Sequence, residues 1–235
     1  MATVFENIFR AIDTLMAVTN DAITATENCQ QDVEQVLRAL SQVNLGGAMD
    51  VVLLARYSRG TGAMKVARSM FEVSLTAQYL ENHPAESQNY LDFVHVLLWR
   101  WAQNSPGKLT ASEMQQADAD YNRVKGRFTN SKGKVQNNWS PKTIKQMADE
   151  IGRGDLYDVA YSAASMLHHV NPLGLLAHEY DWVPEALRIA HGSLFQTVCS
   201  LYNVSNLTST FAERFSRLKA EFEGVWAEHA AARPS

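Results

Sequence analysis

The chain has 235 residues, 46% hydrophobic and 20% charged, enough apolar mass for a substantial core. Its net charge of −4 argues against wholesale nucleic-acid binding. Twelve glycines and six prolines are too few for an all-β chain with its many tight turns, and two cysteines make no disulfide framework. No apolar run approaches the ~20 residues that cross a bilayer, and no charged, apolar leader opens the chain. The expectation is a cytoplasmic protein without membrane contact.

Apolar spacing predicts helix after helix. Val4, Phe5, Ile8, Phe9, Ile12, Leu15 and Met16 recur at three- and four-residue intervals, predicting a helix from about Val4 to Ala25. Val33, Val36, Leu37, Leu40 and Val43 predict a second, stopped by Gly46-Gly47. A third runs from about Ala48 to Tyr57, ahead of Gly60-Thr61-Gly62, and a fourth from about Ala63 to Asn82, ended by Pro84. A fifth spans about Ala85 to Gln103.

Beyond Ser105-Pro106-Gly107, Thr110 and Glu113 form a capping-box pattern that opens a helix to about Phe128. Residues 130–138 have loop composition, and Ser140-Pro141 has the form of an N-cap followed by a first-turn proline. Asp155 caps the next predicted helix, which ends before Pro172. Pro184 starts a long one to about Asn206. Phe211, Phe215, Leu218, Phe222 and Val225 then form a heptad-like seam, able to pack on its own core or to join a second copy as a homo-oligomer. The fold class is all-α, a bundle of about nine or ten helices in one domain over 1–235. Its C-terminal part is a helical pair over 183–232.

Two helical segments carry polar residues where the pattern asks for core, and such groups cost free energy unless paired or used. On the fourth helix Arg68 and Glu72 lie one turn apart at the edge of a narrow polar arc. The bland reading is a partly exposed i,i+4 ion pair; the sharper one is an internal polar network or an anion site. On the helix after Asp155, Tyr157, Tyr161, Ser165 and His168 share a face. His168 is the candidate general acid/base, although a Ser and a His alone do not make a nucleophile site. His168, His169, His178 and Glu179 lack metal-ligand spacing, so neither a metal nor another cofactor is expected.

A third lead is electrostatic. Between Tyr121 and Ala148 there is no Asp or Glu, while Arg123, Lys125, Arg127, Lys132, Lys134, Lys142 and Lys145 all occur. With Trp139 among them, these could hold RNA or an anionic small ligand, or be a solvated loop with one anchored Trp.

The Arg-Ser-X-X-Glu helix, Trp139-Ser140-Pro141, and the later Tyr, Ser and His together resemble a family of bacterial helical proteins, the domain of unknown function 5677. The likeness runs from about Ala48 to Pro172. It implies an all-helical fold, with Arg68, Glu72, Tyr157 or Tyr161, Ser165 and His168 as the matching positions, and no assigned activity. HEPN-type ribonucleases, which cleave RNA without metal through a closely spaced Arg and His, offer a contrast. Here the tightest such spacing is Arg188 and His191, with only two residues between. A HEPN-like mechanism would need Arg68 and His168 to meet from different helices. The expected function is therefore a regulatory or ligand/partner-binding module with an internal polar network. The alternative is a metal-independent, HEPN-like enzyme acting on RNA or nucleotides in a defence system.

Overall fold

The computed structural model describes residues 2–105, 107–158, 161 and 180–231. They form α1 (Ala2–Ala25), α2 (Asp32–Arg56), α3 (Gly60–Asn82), a 3-10 turn (Pro84–Glu86), α4 (Ser87–Asn104), α5 (Ala111–Val124), α6 (Ile144–Glu150), α7 (Val183–Val204) and α8 (Thr208–Ala231). Residues 154–158 add a further helical segment. The fold is all-α, with no strand among the described residues; an isolated bridge between Thr129 and Val135 is the nearest approach to one.

Several boundaries differ from expectation, and α5 ends at Val124, short of Phe128. The second and third predicted helices are one, because Gly46 and Gly47 lie inside α2 and do not end it. The reason is packing: a Cβ on Gly47 would stand 2.7 Å from Cγ and 3.1 Å from Sδ of Met70, so the missing side chain lets α3 approach. Ser140 does not cap a helix; its hydroxyl accepts the Lys142 amide at 3.2 Å in a local turn, and α6 begins at Ile144. Asp155 lies inside the helical segment it was expected to cap, since the Tyr157 amide already donates to the Arg153 carbonyl at 2.9 Å. The Thr110–Glu113 capping box forms as expected, with reciprocal bonds of 2.7 and 3.3 Å.

The packing separates into two compact units, residues 1–82 with 144–235, and residues 83–143. In unit 1, α2, α3 and α7 pack against one another, and α1 covers α2 and α7. Leu37 and Val51, Met64 and Leu75, Leu187 and Leu194 fill the space between them. Burying each such side chain contributes about 1.5–3 kcal/mol, which secures the helices that position the site. From α8, Leu218 is buried, and Phe222 meets His191 edge-on at 4.6 Å. These seam residues are engaged within the chain; the side chains of Phe211 and Phe215 lie outside the described residues. In unit 2, α4 and α5 pack around Phe93, Val96, Val124 and Phe128, flanked by Tyr121, Val135 and Trp139.

Candidate functional site

Arg68 and Glu72 face the same way on α3, and Arg68 Nε donates to Glu72 Oε1 at 3.3 Å. The guanidinium carbon also lies 4.0 Å from the centroid of the Tyr161 ring, within cation–π range. Tyr161 stacks on Tyr157, with centroids 4.6 Å apart and planes 15° from parallel. Lys145 of α6 sits 5.7 Å from the Tyr157 centroid while bonding Asp149 at 3.0 Å and Asp158 at 2.7 Å. Four residues singled out from sequence, Arg68, Glu72, Tyr157 and Tyr161, thus meet in space from segments some 90 residues apart. Ser165 and His168 lie outside the described residues.

The cluster sits at the edge of the interior. The Arg68 side chain is 16% exposed and that of Glu72 36%. Burial, then the neighbouring Tyr161 and the Glu72 charge, push the Tyr157 hydroxyl up to about 12, against the opposing pull of Arg68. At neutral pH that phenol stays protonated, so it can donate a hydrogen bond but not serve as a base. The cluster is suited to holding a cation on an aromatic face and locking one helix to another.

A deeper polar network escaped the sequence reading. Asn44, fully buried on α2, donates through Nδ2 to the Met70 carbonyl at 3.2 Å, the Ser193 carbonyl at 3.4 Å and Thr197 Oγ1 at 2.6 Å. It ties α2, α3 and α7 together. The signal was present: Asn44 occupies the same helical phase as Leu37, Leu40, Ala48 and Val51, where only core residues belong. His191, also buried, accepts a bond from Trp226 Nε1 at 3.3 Å, and burial lowers its imidazole to about 4.

The basic stretch is part scaffold and part surface. Arg127 pairs with the buried Asp92 of α4. Arg123 contacts His95 at 3.1 Å and Asp120 at 3.6 Å, and Lys125 bonds Asn122 at 2.9 Å. Lys132 and Lys134 are exposed on a tight turn. There Asn130 Oδ1 accepts both of their amides at 3.0 Å, and Gly133 adopts φ +73°, which its lack of Cβ permits. Trp139 is half-buried, its ring edge-on to Tyr90 at 5.3 Å. Tyr121 has one face covered by Trp99, stacked at 4.1 Å.

Among the described residues no group of three or more His, Cys, Asp or Glu could hold a metal ion, and no helix is long and apolar enough to cross a membrane. Cys29 and Cys199 are free. No curated protein and no solved structure matches the chain significantly. A family model matches residues 45–180, more than half of the chain, and includes Arg68, Glu72, Tyr157 and Tyr161. The chain belongs to the family of unknown function DUF5677.

Proposed function

We propose that this protein is a cytoplasmic regulatory module that binds a ligand or partner, organised by the polar cluster on α3. The observation that carries this reading is the Arg68 guanidinium, held on the Tyr161 ring at 4.0 Å and bonded to Glu72. A cation occupied in this way serves to fix helix register and to present charge. The raised Tyr157 phenol beside it adds a donor and no base. Arg68→Met, which keeps the length and removes the charge, is expected to cost about 1 kcal/mol in chemical denaturation, because Glu72 retains some access to water. A loss of several kcal/mol would make the pair a buried structural element with nothing left to present.

The second reading, metal-independent RNA or nucleotide chemistry, is favoured by the exposed Lys132 and Lys134 on the turn of unit 2. Labelled mixed-sequence RNA, followed across a salt series without added metal, separates the two. The module reading expects no turnover. Salt-sensitive binding with cleavage abolished in His168→Ala would replace it with the enzyme. Association through the exposed side of α8 belongs to the same proposal, and light scattering of the full chain tests it. So does unfolding as one domain: a single calorimetric transition is expected, and two resolved transitions overturn it.

A further inference from the structure

Unit 1 contains a cavity of about 230 Å³ between α3, α7, α8 and the turn after α6. Phe71, Leu75, Ile189 and Phe222 supply apolar walls, and Arg153 and Ser193 line it as well. An apolar cavity of about 150 Å³ admits a benzene-sized molecule. This one therefore has room for a single ring with a short polar substituent.

Two features distinguish it from an apolar packing defect. Ser193 is 3% exposed, and its hydroxyl has no hydrogen-bond partner among the described residues. Its carbonyl accepts from Thr197 Oγ1 at 2.8 Å and from Asn44 Nδ2 at 3.4 Å, and turning the hydroxyl about χ1 toward the cavity disturbs neither bond. A buried hydroxyl without a partner is destabilising, and an acceptor arriving from a ligand would relieve that cost. The second feature is charge. Arg188, also on the wall, is neutralised by Glu185 through two bonds. Arg153 instead gives its Nε to the Gln78 amide oxygen at 3.3 Å, and no carboxylate pairs with it among the described residues. Among the described lining residues Arg153 is thus an uncompensated positive charge.

We propose that this cavity binds a small monocarboxylate with a single-ring apolar body. The ring would lie among Phe71, Leu75, Ile189 and Phe222, and the carboxylate would accept from the Arg153 guanidinium and the Ser193 hydroxyl. One negative charge balances Arg153, the cation among the described lining residues that no carboxylate pairs, and carboxylate geometry suits a guanidinium fork. The site is distinct from the Arg68 cluster. It rests on the reading of the chain as a binding module and names the ligand class.

The test is a ligand-observed NMR titration of the full chain with phenylacetate and, in parallel, with phenylacetamide, which has the same shape without the charge. Phenylacetate is expected to bind at millimolar concentration or below. The amide should be weaker by about tenfold or more, and added salt should narrow the gap. Arg153→Met should bring the acid down to the amide, and Ser193→Ala should weaken the acid. Gly192→Leu, with the Phe222 ring 3.9 Å from where its Cβ would stand, should exclude both.

Equal binding of acid and amide to the wild-type chain overturns the charge assignment and leaves the module reading in place. Binding of neither overturns the site, while the RNA experiment still judges the module. Unaltered acid affinity in a folded Arg153→Met chain also overturns the proposal. If that variant does not fold, the acid-to-amide ratio on the wild-type protein decides alone.

Discussion

In unit 1 the polar groups sealed furthest from water are neutral. Asn44 donates to Thr197 and to two backbone carbonyls, and His191 accepts from Trp226. In unit 2 the buried Ser87 and Ser140 are neutral too, but a carboxylate is buried as well: Asp92, its side chain 8% exposed, is met by Arg127, which is 52% exposed. Arg100 reaches across to the Val135 and Gln136 carbonyls, and Trp99 Nε1 donates to Asp118 at 3.1 Å. The first arrangement relies on close helix packing with little charge to desolvate. The second uses charge to hold an irregular segment that has few apolar side chains of its own. Neutral networks are insensitive to ionic strength, whereas pairs with one arm in water are screened.

The largest test of this contrast is pH. His191 is neutral in the fold, with its imidazole lowered from 6.5 to about 4. As pH falls below 6.5 the unfolded chain takes up a proton that the folded chain refuses. Stability is therefore complete above that value and is lost progressively down to pH 4, by about 3 kcal/mol in all. Denaturant titrations over this range check it, and His191→Gln, which can still accept from Trp226, should flatten the profile. A profile unchanged by that substitution would break the neutral-core side of the comparison.

Asn44→Ala comes next, with an expected loss of about 2 kcal/mol that does not vary with salt. Equilibrium unfolding in low and high salt measures both aspects. Arg127→Met should cost about 1 kcal/mol, shrinking as salt rises. Hydrogen exchange would show the change at the Gln136 amide, which bonds the Phe128 carbonyl at 2.7 Å. An effect as large and salt-independent as that of Asn44 would erase the distinction.

The smallest effect separates two neighbours. Gly46 faces open space, so Gly46→Ala should stabilise α2 by somewhat less than about 1 kcal/mol. Gly47→Ala meets Met70 and should lose that gain or reverse it. Equal gains at both positions would mean that α3 does not need the missing side chain.

Much of this architecture was legible in the chain. The three-to-four spacing of Ile8, Ile12 and Leu15 and of Val33, Val36, Leu37 and Leu40 predicted helices that the structure contains, because one buried stripe per helix suffices to specify it. The Thr110–Glu113 cap was legible because its partners are three residues apart. The Gly46-Gly47 pair misled for the opposite reason. A glycine that ends a helix and one that admits a neighbour look alike until the neighbour, Met70, is known.

Helix identity, the all-α class and the suspicion attached to Arg68, Glu72, Tyr157 and Tyr161 are thus properties of the sequence alone, since each rests on residues within a few turns of one another. Only tertiary structure decided that Arg68 lies on Tyr161, that Asn44 rather than Glu72 is the buried polar hub, and that Arg127 braces Asp92. Those outcomes depend on which helix faces meet. That choice is made by side chains tens to more than a hundred residues apart, through packing that no local pattern encodes.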